Sequence, residues 1–332
     1  MPLDGRILAQ ARLELKKRKR EFELRYEQKL LSLYSSSGRI KDLDRELKNT
    51  MSELFTAALT HDAERSHLLL DDIRTKNMRL QNERKEELKK LKLPEDYPGS
   101  EYICEICRDT GNNGTEICHC LICIYKELQS ESLSYLFKLG NESFENFDLS
   151  FYEDSCPFGN SISPRRAMEI IFQACKEYAN KFGPNSLNLF FNGAPGLGKT
   201  FLSACIAGVV AENGYSVVYD TASALFTKFG DAVFSKPEDR DEYRAEVERC
   251  MQCDLLIIDD LGTEMKTSFT VSALYDIVNS RLIAKKKTIV SSNLTIAELQ
   301  HRYSEQIMSR LEGEYQVLTF RGEDIRKKKN AL

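Results

Sequence analysis

From about residue 186 onward the chain alternates short apolar runs with longer amphipathic ones. Residues 187–191, 216–219, 255–258, 288–291 and 315–320 are expected to be strands. Several are almost wholly apolar, the pattern of central parallel strands covered on both faces. Helices are expected between them at 200–212, within the polar run 223–249, at 268–283 and at 296–310. Strand–helix alternation predicts a doubly wound α/β sheet. Upstream the pattern is different. Leu8, Leu15 and Phe22 recur at sevens, and Tyr26, Leu30 and Leu33 continue the stripe along a run from Arg6 to Tyr34. Ser35-Ser36-Ser37-Gly38 reads as a turn. A second helical run is expected from about residue 42 to 93, stopped by Pro94. Together these predict a helical hairpin or loose coiled coil, with Arg18 on an imperfect seam. Such a pair serves either as a solvated spacer or as a docking module for another protein's helices.

Four segments follow: a helical region at 1–96, a cysteine-rich module at 97–130, a linker and leading helix at 131–185, and an α/β domain at 186–332. The leading helix is expected at 165–182, with Ser163-Pro164 at its start. Charged residues make up 30% of the 332 residues, and much of that charge lies in the N-terminal helices. The formal net charge of -4 excludes a uniformly basic nucleic-acid coat but leaves room for a local basic groove. The runs Lys285-Lys286-Lys287 and Lys327-Lys328-Lys329 are candidate tracks for single-stranded DNA, or simply solvated faces. No apolar stretch reaches the about 18 residues of a membrane span. The first residues lack a basic stretch followed by an apolar core, so no secretory signal is expected. A cytoplasmic location and reduced thiols follow for the ten cysteines.

Five of those cysteines cluster, at Cys104, Cys107, Cys118, Cys120 and Cys123. Closely spaced cysteines present two sulfurs from one turn, and four soft ligands make a tetrahedral zinc site. Cys104 and Cys107 form one pair. Zinc-ribbon geometry favours Cys120 and Cys123 as the other, and His119 is a further candidate. Cys156, Cys175, Cys205, Cys250 and Cys253 are scattered and expected to pack as small apolar residues.

Candidate chemistry centres on Gly193-Ala194-Pro195-Gly196-Leu197-Gly198-Lys199-Thr200, which matches the P-loop pattern between an expected strand and helix. The glycines let backbone N–H groups converge on phosphate oxygens at the positive end of the helix. Lys199 would reach the β- and γ-phosphates of ATP, and Thr200 would offer its hydroxyl to Mg²⁺. Leu255-Leu256-Ile257-Ile258-Asp259-Asp260 is an apolar strand ending in two acids, a Walker B element. Asp259 would hold Mg²⁺, and Asp260 would polarise the attacking water. Asn293 ends a further strand, where it either orients that water or caps the helix beginning near Thr295. Arg310 and Arg326 offer the cationic charge that phosphoryl transfer needs.

Together these residues resemble the AAA+ ATPases of the DnaC/DnaI helicase-loader type and the related IstB-type transposition helpers. The resemblance runs from about Asp148 to Arg326. It includes the P-loop, the Leu-Leu-Ile-Ile-Asp-Asp-Leu-Gly strand, Ser-Ser-Asn-Leu, and Met-Ser-Arg-Leu followed by Arg-Gly-Glu-Asp-Ile-Arg. It implies a parallel five-stranded sheet in the order 5-1-4-3-2, with a small helical region between strand 2 and the Walker B strand. It makes Arg310 an arginine finger acting on a neighbour's nucleotide and Arg326 a sensor 2 arginine acting within its own subunit. Asp260 departs from the glutamate usual at that position. Cys-x-x-Cys-x-Asp-Thr-Gly resembles the zinc module of Gram-positive loader-like proteins, whose pattern favours Cys118 and Cys120 as the second pair.

The implied activity is ATP-dependent loading of the replicative DNA helicase onto single-stranded DNA, with self-association through the ATPase domain. The implied cofactors are ATP, Mg²⁺ and Zn²⁺. A second reading is a transposition or phage accessory ATPase acting on duplex DNA. A third is a regulatory module that holds ATP without turnover.

Overall fold

The computed structural model describes residues 3–58, 63–136, 142–155 and 162–326. The chain forms two compact units, one of Arg12–Leu121 and one of Met1–Ala11 with Ile122–Leu332. Among the described residues, no helix is long and apolar enough to cross a membrane.

Three helices open the chain: α1 (Gly5–Ser36), α2 (Gly38–Ala58) and α3 (Ala63–Lys90). The run expected as one helix from residue 42 to 93 is therefore two. α2 and α3 lie antiparallel and pack along their length. Arg84 pairs with Asp44 at 2.6 Å near one end, and Asn77 donates to the buried Thr50 hydroxyl at 2.8 Å further along. Ile40, Leu88 and Leu33 of α1 share one apolar cluster. The hairpin partner of α2 is thus mainly α3. A heptad stripe reports which face is apolar, not which neighbour covers it.

A two-residue ribbon, β1 (Asn112–Asn113) with β2 (Glu116–Ile117), lies inside the cysteine module, followed by α4 (His119–Leu136). α5 (Pro164–Asn180) starts at Ser163, whose side chain accepts the Arg166 N–H, and proline occupies its first turn.

The α/β region then runs β3 (Asn188–Asn192), α6 (Lys199–Glu212), β4 (Val217–Thr221), α7 (Ala222–Phe234), α8 (Arg240–Gln252), β5 (Leu255–Leu261), α9 (Ser268–Ile283), β6 (Lys287–Ser292), α10 (Ile296–Arg302), α11 (Glu305–Gly313) and β7 (Tyr315–Thr319). Its five strands are all parallel, in the order β4-β5-β6-β3-β7. Counted within the domain, this is 5-1-4-3-2 from the opposite edge. The fold is a layered α/β sandwich with the strand order that the resemblance implies. Alternation along the strands divides two cores. Leu189, Phe191, Leu255 and Ile257 face a layer containing α5 and α6. Phe190, Leu256, Ile258 and Val290 face α7 to α11.

The inserted helical region expected before the Walker B strand is α7 and α8. The run 296–310 is likewise two helices, α10 and α11, the second entered at Ser304.

Candidate nucleotide and zinc sites

The P-loop leaves β3 and enters α6 through Gly198, which adopts φ +92° and leads into the first turn. A side chain there would be strained by that φ, and its Cβ would come 3.0 Å from the Tyr152 hydroxyl. At Gly196, φ is +77° and a Cβ would overlap the Asp324 carboxylate. Two backbone bonds tie the loop to the end of the domain: Phe320 N–H donates to Asn192 O at 2.7 Å, and Ile325 N–H donates to Gly196 O at 3.0 Å. The Arg-Gly-Glu-Asp-Ile-Arg segment is thereby seated on the phosphate loop.

A cleft of about 340 Å³ opens over the loop. Pro195 to Thr200, Asp260, Asn293 and Arg326 line it. Gly193 and Ala194 form the entry to the loop. Their carbonyls accept from the buried Lys199 ammonium at 2.7 and 2.8 Å. Burial pushes the Lys199 ammonium down to about 8, against the opposing pull of Asp260 and Asp259.

Asp260 lines the cleft because β5 is bulged, while Asp259 beside it is buried and is not among the lining residues. Between the pairs Ile258–Val290 and Leu261–Ser292, β5 has two residues, Asp259 and Asp260, where β6 has one, Ser291. In a regular strand successive side chains point to opposite faces. Here the bulge, with Asp260 at φ 55°, re-aims Asp260 into the cleft. Ser291 serves both acids: its hydroxyl donates to Asp259 and accepts the Asp260 N–H at 3.0 Å. Burial and the neighbouring Asp259 raise the Asp260 carboxyl above its ordinary range, while the Asn293 amide, donating at 3.0 Å, opposes the rise.

Arg310 does not line this cleft. Its guanidinium lies 4.7 Å from the Tyr275 ring centroid and bonds Asn279 Oδ1 through Nε and Nη2 at 3.1 and 2.8 Å. Of the lysine tracks, Lys286 is paired with Asp254 at 3.0 Å, Lys287 is half-buried, and Lys327, Lys328 and Lys329 lie outside the described residues.

One wall of the cleft has no counterpart among the motifs. Glu142, Asn146, Phe147, Asp148, Phe151 and Tyr152 line it. Phe147 stacks on Phe172 at 5.1 Å, and Tyr152 donates to Leu197 O at 2.9 Å, bracing the P-loop from below. The available signal was Phe144-Glu-Asn-Phe147-Asp-Leu-Ser-Phe151-Tyr152, an aromatic cluster too dense for a linker.

The donors suit both groups implied for this cleft. Left-handed glycines and a helix N-terminus make a phosphate cradle. The Thr200 hydroxyl and the Asp259 and Asp260 carboxylates are the hard oxygen donors that Mg²⁺ takes.

In the cysteine module, the sulfurs of Cys104, Cys107, Cys118 and Cys120 all lie within 4.8 Å of one another. Cys123 and His119 are outside that set. The Cys104–Cys118 and Cys107–Cys120 sulfurs are 3.8 and 3.4 Å apart. A tetrahedron of about 2.3 Å Zn–S bonds spaces its sulfurs by about 3.8 Å, so the quartet fits zinc. The intervening residues hold the turn. Asp109 accepts N–H bonds from Cys104 at 2.8 Å and Ile103 at 3.1 Å, and the Thr110 hydroxyl donates to Cys107 O at 2.7 Å. Burial acts to raise the Cys107 thiol, but the Gly111 backbone and neighbouring thiols outweigh it and bring it to about 7. Cys175, Cys205, Cys250 and Cys253 are buried, and Cys156 lies outside the described residues.

The fold and the cleft are those of a P-loop nucleotide-binding α/β domain. Residues 174–332 match the family model described as IstB-like ATP binding protein. The replicative helicase loader DnaC of Buchnera aphidicola subsp. Baizongia pistaciae is 29% identical over 175 residues, which are 52% of this chain and 70% of that protein. DnaC of Escherichia coli (strain K12) is 23% identical over 157 residues, 47% of this chain and 63% of its own. A crystal structure of the DnaC helicase loader aligns with a TM-score of 0.42 at 19% identity, covering 54% of this chain and 98% of the other.

Proposed function

We propose that this protein is an ATP-dependent loader of a replicative DNA helicase. The observation that carries the reading is a single cleft holding Lys199, Thr200, Asp260, Asn293 and Arg326 in a domain whose relatives are helicase loaders. The P-loop amides and Lys199 bind the phosphates. Asp260, held by Asn293, orients and polarises the attacking water. Thr200 and Asp259 would hold Mg²⁺, which would supply charge neutralisation to the bound phosphates. Arg326 acts on nucleotide in its own cleft. Arg310, cradled by Tyr275 and Asn279 away from that cleft, serves a neighbour's site when domains assemble side by side. The helical arm and the Cys104–Cys107–Cys118–Cys120 zinc module grip the helicase, and ATP binding orders a surface for single-stranded DNA.

The test mixes the full chain with the cognate replicative helicase, with and without ATP. A complex is expected, and its absence in both conditions contradicts the reading. The IstB-like family match favours a second reading, an accessory ATPase acting on duplex DNA. Preferential ATP-dependent binding to duplex over single strand, with no helicase complex, selects that one.

A further inference from the structure

Tyr219 belongs to none of the nucleotide motifs. It sits on β4, level with Ile257 of β5, and its side chain reaches diagonally to the end of the neighbouring strand. Its hydroxyl donates to Asp259 Oδ2 at 2.7 Å. From the other side of β5, the Ser291 hydroxyl donates to Asp259 Oδ1. Tyr219, Asp259 and Ser291 are 7%, 3% and 0% exposed.

The Tyr219 ring packs in the apolar layer that contains α6. A phenylalanine would fill that space equally well, so packing does not account for the hydroxyl. Its effect falls on Asp259. The terminal torsion of an aspartate is soft and broad. Hydroxyls from two flanking strands, one on each oxygen, remove that freedom. They also offset the cost of burying a carboxylate. A carboxylate oxygen accepts two hydrogen bonds, so each Asp259 oxygen retains acceptor capacity beyond its hydroxyl partner. Groups that hydrogen-bond a metal-holding carboxylate set its orientation and typically change metal affinity about 10–100-fold when removed.

We propose that Tyr219 and Ser291 are positioning residues that set the Mg²⁺ affinity of the nucleotide site by clamping Asp259. This role rests on the ATP reading given above. It predicts a defect specific to the metal. Phosphate contacts from the P-loop are untouched by Tyr219→Phe, so nucleotide binding without Mg²⁺ stays the same. Ser291→Ala removes the second clamp and also the acceptor for the Asp260 N–H, so Tyr219→Phe is the cleaner variant. Ser291→Thr keeps a hydroxyl at the same place.

The experiment titrates Mg²⁺ into the full chain with a fluorescent methylanthraniloyl-ATP probe and reads binding rather than turnover. Half-maximal tightening is expected at about 10-fold higher Mg²⁺ in Tyr219→Phe and in Ser291→Ala, and near the wild-type midpoint in Ser291→Thr. Affinity without Mg²⁺ is expected to stay within about twofold in Tyr219→Phe. Equal midpoints in wild type and Tyr219→Phe overturn the proposal. So does an equal loss of affinity with and without Mg²⁺, the mark of disturbed packing rather than a metal effect. A wild type that binds no probe at any Mg²⁺ concentration contradicts the ATP reading itself, and the inference with it. Binding with unshifted midpoints contradicts the inference alone.

Discussion

The side-chain amide of Asn293 donates to Oδ1 of Asp260 at 3.0 Å, across two neighbouring strands at the floor of the cleft. The bond holds the carboxylate that would polarise water, and it touches nothing that binds phosphate. Asn293→Ala and Asp260→Asn are therefore expected to lower kcat by about 100-fold or more while leaving nucleotide affinity nearly unchanged. Single-turnover rates and equilibrium binding of the same variants check this. Loss of binding in step with rate would assign the pair a structural role.

Lys199 predicts a proton effect. Its ammonium is brought down to about 8 by burial, well below the ordinary lysine value. Near pH 8 part of the population is neutral, and an arriving phosphate favours the charged form. Nucleotide binding there should take up protons, whereas at pH 6.5 the amine is already charged and uptake should vanish. Calorimetric binding enthalpies in buffers of different ionisation enthalpy report the difference. The same depression bears on folding. The unfolded chain holds this proton more tightly, so the lysine costs stability below about pH 8, and the cost fades as pH rises toward the unfolded value.

The strands are the elements most legible in the sequence. Central parallel strands are continuous apolar runs, and those at 187–191 and 255–258 needed no tertiary information. The P-loop and Asn293 were legible for a related reason: each sits at the end of such a run. The bulge at Asp259-Asp260 was not. It depends on how β5 meets β6 about thirty residues later, and no local pattern encodes that register. The role of Tyr219 is not legible because a tyrosine in an apolar strand reads as packing. The aromatic wall at Phe147–Tyr152 reads as linker in the sequence because it contains only short single turns. The division of the run 42–93 into α2 and α3 is not legible in the sequence, since that run contains no glycine or proline to mark it.

The cysteine module makes a compositional prediction. Wild-type protein should carry one zinc per chain by elemental analysis. Cys104→Ser and Cys120→Ser should lose it, and the turn at Cys104–Gly111 should unfold with it, since metal binding and local folding are linked. Cys123→Ser and His119→Ala should keep the full metal content. Zinc lost from Cys123→Ser but kept in Cys118→Ser would reassign the second pair.

Arg310 separates action in trans from action in cis. Bound to Tyr275 and Asn279, it lies outside its own cleft, whereas Arg326 lines that cleft. Chains carrying Arg310→Ala and chains carrying Lys199→Ala should each be inactive alone. Mixed in equal amounts they should regain about a quarter of wild-type turnover, for random side-by-side pairing. The same mixture made with Arg326→Ala and Arg310→Ala also pairs intact cis sites with intact fingers, but only through Lys199-bearing chains of the second kind; it should fall silent when Lys199→Ala is added to Arg326→Ala's partner.

The central claim is that the cleft turns over ATP. The direct measurement is the steady-state ATP hydrolysis rate of wild type against Lys199→Ala, with Mg²⁺, alone and with single-stranded DNA. Wild type is expected to exceed the variant by about 100-fold or more. A wild type no faster than Lys199→Ala, even with DNA present, would contradict the account and leave a module that holds nucleotide without hydrolysing it.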